Sequence, residues 1–155
     1  IITKLTATKN TINTSASFFE NGNKIIFTSD RTGKPRIWVM NKDGTEQKMV
    51  LNGDGGYYSP SVSSDNKKIA FVKVKAGTFN LGIADVNGAN EKILHTGFVI
   101  ENPVWAPIGK TIIFSMKNTA NSKSRVYAIS AINGEVEELD ALSGDLNEPR
   151  WIDEF

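Results

Sequence analysis

The run Lys24-Ile-Ile-Phe27 returns twice in this chain, as Lys68-Ile-Ala-Phe71 and as Thr111-Ile-Ile-Phe114. The three phenylalanines lie 44 and 43 residues apart. An Asp-Gly or Asn-Gly pair follows each run at a matching distance: Asp43-Gly44, Asn87-Gly88 and Asn133-Gly134. A repeat of this length, made of short apolar runs and turn pairs, is typical of the blades of a β-propeller.

Each repeat divides into four short strands separated by turn residues. In the second copy we expect strands at residues 58–62, 68–74, 79–85 and 91–95, with the Asn87-Gly88 pair turning the third strand into the fourth. The five prolines fall at strand starts or in turns, where they remove no central ladder hydrogen bond. The pattern predicts an all-β fold in which each blade is one sheet of four antiparallel strands.

The repeat assigns nearly the whole chain to one propeller segment, residues 1–155. We predict three complete blades at about 15–51, 58–95 and 102–139. Residues 1–7 then look like the fourth strand of a preceding blade, and residues 148–152 like the first strand of a following one. The chain is thus expected to form a partial propeller, or half-ring, with a spare strand at each end.

Three blades do not close a ring, because propellers generally contain four to eight. Three sources of closure are open: a larger protein of which this chain is a part, a second copy that forms a homodimer of two half-rings, or an open array capped by another element. We favour the first, since the dimer leaves the two spare strands without a place.

The composition is that of an ordinary folded domain, with 155 residues, 39% hydrophobic residues and no cysteine. A net charge of +1 argues against nucleic acid as the main partner, because duplex binding needs a concentrated basic surface. No apolar stretch is long enough to predict a membrane span.

Charge is unevenly distributed along the chain: residues 135–155 carry a net charge of −7 and the preceding residues one of +8. We interpret the acidic end as a solvated edge, with a contact to a basic surface as the alternative.

The sequence offers no recognisable catalytic set. There is one histidine, His95, and no G-x-S-x-G motif, and the Gly53-Asp-Gly-Gly56 run lacks the residues of a phosphate-binding loop. We interpret Asp30, Asp54 and Glu101 as turn or loop acids, since turns favour Asp for backbone hydrogen bonding. The sequence therefore predicts no catalytic residue, no metal site and no cofactor.

A binding surface is better supported. In a propeller, the loops between second and third strands and those between blades share one face, which here comprises about residues 30–34, 53–58, 75–78, 97–102, 118–124 and 143–147. Candidate contact residues on these loops are Asp30, Arg31, Lys34, Asp54, Tyr57, Tyr58 and Phe98. We expect one of the two tyrosines to pack between blades, and burial is also the better expectation for Phe98. The three tryptophans Trp38, Trp105 and Trp151 are expected in the core.

The stretch from Lys24 to Gly44 resembles the WD40-like repeat of the TolB propeller family, with its I-x-F strand, Ser-Asp-Arg loop, Trp-Val-Met-Asn strand and closing Asp-Gly. Eroded copies of a second family element are Ser63-Ser-Asp-Asn-Lys-Lys-Ile-Ala-Phe71 and Ala106-Pro-Ile-Gly-Lys-Thr-Ile-Ile-Phe114. The resemblance implies a propeller, a periplasmic or extracellular location, and a non-enzymatic role in protein–protein interaction. Similar repeats form the non-catalytic propellers of prolyl-oligopeptidase-like peptidases and occur in polysaccharide lyases, so a part of a larger enzyme is the alternative.

Overall fold

The computed structural model describes residues 2–139 and 148–151. Twelve strands follow one another along the chain: β1 Asn13–Phe19, β2 Lys24–Ser29, β3 Arg36–Asn41, β4 Lys48–Leu51, β5 Gly56–Val62, β6 Lys68–Lys75, β7 Thr78–Asp85, β8 Lys92–Gly97, β9 Val99–Trp105, β10 Thr111–Lys117, β11 Arg125–Ser130 and β12 Val136–Glu138. Within the described residues there is no helix, and so none of the length and hydropathy that a membrane-spanning helix requires.

The strands form three antiparallel sheets of four, each in the order of the sequence. Blade 1 contains β1 to β4, blade 2 contains β5 to β8, and blade 3 contains β9 to β12. The predicted all-β fold of antiparallel four-stranded blades in an unclosed ring is confirmed. Each sheet begins slightly earlier than the sequence indicated, at Asn13, Gly56 and Val99.

The first strand of each blade, which we call the inner strand, has an interruption in its pairing at the same place. The pairing of β1 with β2 shifts register between Thr14 and Ser17, and that of β5 with β6 between Tyr58 and Ser61. The residue at the centre of the irregularity has a left-handed backbone: φ is 52° at Ser15, 48° at Ser59 and 51° at Asn102. Non-glycine residues rarely adopt this conformation, so its recurrence in three blades marks a built feature of the inner strand.

Two apolar layers join the blades. Junction 1–2 lies between blades 1 and 2 and contains Phe19, Ile26, Ile37, Val39, Leu51, Tyr57, Ile69, Phe71 and Ala84. Junction 2–3 lies between blades 2 and 3 and contains Ala70, Val72, Leu81, Ile83, Ile100, Trp105, Ile112, Phe114, Met116, Tyr127 and Ile129. The second strand of a blade contributes to both of its faces because alternate side chains point to opposite sides of a sheet.

The first terminal segment occupies the expected place without forming a strand. No ladder pairing includes residues 2–7, but Leu5 packs beside the Ile25, Phe27 and Met40 cluster on the outer face of blade 1. The Leu5 carbonyl oxygen lies 3.0 Å from where a Cβ of Gly44 would be, and the fourth-strand residue Val50 approaches Gly88 in the same way. A strand assignment needs a neighbouring strand to bond, and the described residues supply none there, so the spare strand stays a prediction.

The second terminal segment behaves similarly. Residues 148–151 are described as irregular chain, whereas the sequence predicted a strand over 148–152, of which residue 152 lies outside the described residues. Glu148 nevertheless has a φ of 54°, the value of the inner-strand irregularity. Trp105 is 6% exposed, as expected for the core, but its counterpart Trp151 is 44% exposed. Glu148 therefore has the backbone conformation that recurs in the first strands of the three blades, and no sheet among the described residues covers Trp151.

Candidate binding surface

Three of the loops that the sequence placed on one face are joined by hydrogen bonds and an ion pair. The backbone amide of Tyr57, near the start of β5, donates to the carbonyl oxygen of Pro35 in the β2–β3 connection at 3.0 Å. Arg36 donates to the carbonyl oxygen of Gly55, and Lys75 pairs with Asp54 at 3.3 Å. We call the surface made by residues 30–35, 52–56, 75–78 and 98 the loop face. The predicted loop at 143–147 lies outside the described residues.

Tyr57 is buried under the loop face and leaves the set of contact residues. Its side chain is 0% exposed, and its hydroxyl donates to Glu91 Oε2 at 2.8 Å. The ammonium of Lys73 holds the other oxygen of Glu91 at 2.6 Å and lies 4.9 Å from the tyrosine ring. Burial raises the pKa of the Tyr57 hydroxyl above its usual value. The expectation that one of the two tyrosines packs between blades holds for Tyr57.

Arg31 is committed to blade 1 by its own contacts. Its guanidinium carbon lies 4.6 Å from the Trp38 ring and 5.3 Å from the Phe27 ring, the geometry of a cation–π interaction. Its nitrogens donate to oxygen atoms on three other segments: Ser29 Oγ, Gln47 Oε1 and Asn13 Oδ1. A side chain held by so many partners supports the blade, and the role of the half-buried Arg31 as a contact residue stays a prediction.

Asp30 also fixes the chain. Its Oδ1 accepts a hydrogen bond from the backbone amide of Ile12 at 2.8 Å, and the amide of Asp30 donates to the Ile12 carbonyl oxygen at 3.3 Å. This reciprocal pair fastens the segment before β1 to the end of β2. A free acid for binding is therefore not what the structure shows at this position.

The remaining candidates stay accessible. Lys34 and Asp54 are exposed at the loop face, and Phe98, the single residue between β8 and β9, is 50% exposed. Burial of Phe98, expected from its apolar neighbours, is wrong, because the tight connection turns its side chain outwards while Ile100 enters junction 2–3. Lys34, Asp54 and Phe98 keep their place as predicted contact residues.

Tyr58 lines a pocket at the edge of junction 2–3. The pocket has a volume of about 320 Å³ and an apolar wall formed with Val72, Val74, Phe79 and Ile100. Its rim is polar, with Ser59, Glu101 and Asn102. Phe79 was not singled out from the sequence, although its place at the start of a third strand next to a loop could have suggested it. An apolar pocket with a polar rim suits a side chain of a bound segment.

A second concavity runs along the inner strands. A groove of about 480 Å³ is lined by the irregular residues Ser15, Ser59, Asn102 and Glu148 together with their neighbours. These four positions are 44, 43 and 46 residues apart, a spacing that was available in the sequence but was not used. In a closed propeller, positions on the first strand of each blade line the central channel.

The acidic and histidine side chains of the described residues form no cluster of the kind that holds a metal ion. Over residues 2–139 and 148–151, no three side chains of His, Asp, Glu or Cys gather as they would around a metal ion. Asp54 is paired with Lys75, and the imidazole of His95 lies 6.2 Å from the Phe114 ring. The described chemistry is that of packing and surface contact.

Comparisons with known proteins agree with this architecture. The family model of the TolB beta propeller domain matches residues 1–154. The Tol-Pal system protein TolB of Rickettsia rickettsii (strain Sheila Smith) is 35% identical over 95 residues, which cover 54% of this chain and 21% of that protein. The match thus spans about a fifth of the relative's length.

Solved structures support the fold. A putative TolB from Agrobacterium tumefaciens superposes with a TM-score of 0.73 at 17% identity, covering 83% of this chain and 46% of that one. An acylaminoacyl peptidase of Pyrococcus horikoshii superposes with a TM-score of 0.65 at 16% identity, covering 85% and 25%. At these identities the similarity concerns the fold.

Proposed function

The chain belongs to the TolB β-propeller domain family, and from that membership we propose that it is a non-enzymatic module that binds a protein partner on its loop face. The partner is a component of a Tol-Pal system, by the name of the curated relative, and the location is the periplasm. The observation that carries the proposal is the half-exposed Phe98 on the same face as an apolar pocket walled by Tyr58 and Phe79.

The geometry supports binding by a rigid surface. The loops are short and are tied to each other and to buried groups, as the Tyr57–Pro35 and Arg36–Gly55 hydrogen bonds illustrate. A surface that is ordered before binding loses less conformational entropy when it meets its partner. Aromatic side chains that stand out from such a frame are typical interface hot spots.

Binding of the Pal component from the same organism tests the proposal. We expect Phe98→Ala and Tyr58→Ala to weaken binding by about tenfold or more, the scale of an interface hot spot. Ile132→Ala is the control, because Ile132 is also an exposed apolar residue but lies in the β11–β12 turn, at the opposite end of the strands. Isothermal titration calorimetry measures the affinities. Equal losses at Phe98 and Ile132, or unaltered binding by both Phe98→Ala and Tyr58→Ala, would contradict the proposed surface.

The propeller of a larger peptidase is the second candidate, favoured by the superposition on the acylaminoacyl peptidase. In that case the loop face would meet a catalytic domain of the same polypeptide. The reading frame of the parent gene separates the two functions: a hydrolase domain after the blades supports the peptidase, and further blades behind an export signal support the binding module.

A pair of half-rings remains a prediction for this chain in isolation. Phe18 is 66% exposed on the outer face of blade 1, where its equivalent Trp105 is buried at junction 2–3, so an apolar face is available to a second copy. Sedimentation of the 155-residue chain gives the answer. A dimer supports the pair of half-rings, and a cooperatively folded monomer contradicts it.

A further inference from the structure

We propose that Asn52, on the loop face, is a site of spontaneous deamidation, and that the fold protects the other three Asn-Gly pairs of the described chain. Four such pairs are present: Asn21-Gly22, Asn52-Gly53, Asn87-Gly88 and Asn133-Gly134. The proposal concerns a covalent modification and does not depend on the proposed function.

The reaction needs a free backbone amide after the asparagine. The amide nitrogen of Gly53, having lost its proton to hydroxide, attacks Cγ of Asn52 and forms a C–N bond, while the side-chain nitrogen leaves as ammonia. Water then opens the cyclic imide at either carbonyl carbon and gives aspartate or isoaspartate. The net change is one water consumed and one ammonia released. An amide N–H that is held in a hydrogen bond is harder to deprotonate and to redirect.

Three of the four glycine amides are held in this way. Gly22 N donates to Phe19 O at 3.1 Å, Gly88 N to Asp85 O at 2.8 Å, and Gly134 N to Ser130 O at 2.9 Å. These are the hydrogen bonds that close the turns. Each of these three glycines also has a positive φ, between 77° and 90°, so the turn conformation is fixed.

Two of the three asparagine side chains are fixed as well. Asn87 Oδ1 accepts from the amide of Ala89 at 3.0 Å, and Asn133 Oδ1 accepts from the amide of Glu135 at 3.2 Å. These bonds hold the carboxamide away from the following amide nitrogen. Asn21 lacks such a bond within the described residues, so its protection rests on the Gly22 amide alone.

At Asn52-Gly53 the glycine amide, the glycine φ and the asparagine side chain all differ from those of Asn87-Gly88 and Asn133-Gly134. Both residues are exposed in the connection between β4 and β5, and Gly53 is outside the positive-φ region. Among the described residues, no hydrogen bond engages the Asn52 side chain or the Gly53 amide. The reactive carboxamide and amide are thus free to meet, in contact with water.

The loop must keep glycine at this position because of its own packing. A Cβ on Gly53 would lie 2.5 Å from the hydroxyl oxygen of Tyr57. The small residue that lets the loop cover the buried tyrosine is therefore also the residue that makes the preceding asparagine reactive. Its product adds one negative charge, and in the isoaspartate form one further backbone carbon, to the loop face.

Incubation of the native protein at mildly alkaline pH tests the proposal, with peptide mapping by mass spectrometry at successive times. We expect the rate of deamidation at Asn52 to exceed that at each of the other three pairs by about fivefold or more. A factor of about five is the equilibrium ratio that corresponds to one hydrogen bond of typical net strength. Ion-exchange chromatography should show an acidic form that Asn52→Ser abolishes and that the matched control Asn87→Ser leaves unchanged.

The same measurement in denaturant separates structure from local sequence. In the unfolded chain we expect the four pairs to react at similar rates, since the turn hydrogen bonds are gone. The proposal is overturned if native Asn52 reacts no faster than Asn87, if the acidic form persists in Asn52→Ser, or if the native order of rates survives unfolding.

Discussion

Junction 1–2 and junction 2–3 share one pattern in their apolar layers and differ where they reach the loop face. Tyr57 and Lys73 in the first correspond to Ile100 and Met116 in the second, 43 residues later. The first junction therefore has a polar cluster of Tyr57, Lys73 and Glu91 where the second has aliphatic and thioether side chains. The polar contacts of the second junction lie on another strand, where the Tyr127 hydroxyl accepts from Asn118 and donates to Glu138. The repeated sequence specifies the apolar layer and the strand register, whereas the residues where each junction reaches the loop face differ between repeats.

Two glycines, one at each junction, show how closely the backbone packs against the side chains there. A Cβ on Gly53 would lie 2.5 Å from the Tyr57 hydroxyl, and a Cβ on Gly97, 44 residues later, would lie 2.8 Å from the Met116 sulfur. In both junctions the chain at the end of the fourth strand, or just after it, passes close to a large side chain of the junction. Different chemistry is thus accommodated by the same close approach of the backbone.

The largest expected effect tests what the junctions share. Phe71 and Phe114 are both 0% exposed, one in each junction. We expect Phe71→Ala and Phe114→Ala each to lower the free energy of unfolding by about 3–5 kcal/mol, through lost burial and the cavity that remains. Urea denaturation followed by tryptophan fluorescence measures both. A cost at one junction that is much smaller than at the other would show that the apolar layers are unequal.

A smaller effect tests what the junctions do not share. Glu91→Ala removes the acceptor of the Tyr57 hydroxyl and the partner of the Lys73 ammonium, whose side chain is 16% exposed. We expect a loss of about 1–3 kcal/mol in the free energy of unfolding, the cost of leaving such groups unsatisfied.

Val136→Ala is the control for that loss, since Val136 has the corresponding position in blade 3 and is exposed. We expect it to alter the free energy of unfolding by no more than about 0.5 kcal/mol, as is usual for surface substitutions. Similar losses for the two variants would mean that the polar cluster adds nothing to junction 1–2.

The smallest effect is a dependence on alkaline pH. Burial raises the pKa of Tyr57 in the folded protein. The pKa of Lys73 is raised as well, because hydrogen bonds to Glu91 and Tyr57 outweigh the burial that lowers it. A raised folded pKa contributes stability that is complete below the unfolded value, about 10 for both groups, and is lost as the pH rises towards the folded value.

Stability should therefore fall above about pH 10, and Tyr57→Phe should make that fall shallower because one of the two groups is removed. Thermal denaturation at a series of pH values gives the slope. Tyr127, whose pKa burial also raises, is unchanged in the variant and supplies the remaining alkaline dependence at junction 2–3. An unaltered slope in Tyr57→Phe would show that the hydroxyl ionises equally easily in the folded and unfolded chain.

The strands could be predicted because the same sequence pattern occurs three times, once in each blade. The bounds expected for β6 and β7, residues 68–74 and 79–85, agree with those of the structure to within one residue. Their buried, continuous apolar runs and closing turns leave little choice of register. The spare terminal strands stay predictions, because the repeat pattern indicates a strand at each end but the described residues contain no strand for either to pair with.

The candidate surface was harder to predict, because the role of a loop residue depends on partners distant in sequence. Arg31 is engaged by Asn13 and Gln47, which only the register of the strands brings to it. Which of Tyr57 and Tyr58 faces junction 1–2 depends on the exact start of β5 and on the irregularity at Ser59. Phe98 was misjudged because a one-residue connection turns its side chain away from the apolar residues that follow.

Because every ladder in the described residues joins strands that are consecutive in the chain, backbone hydrogen bonding is confined within each blade. Blades are coupled mainly through side chains at the two junctions and through a few loop hydrogen bonds. Such an array folds and opens by units, as repeat proteins do, and its folding rate is set by local contacts. Amide exchange should then release the protons of one blade together, and mechanical pulling should extend the chain in steps of one repeat.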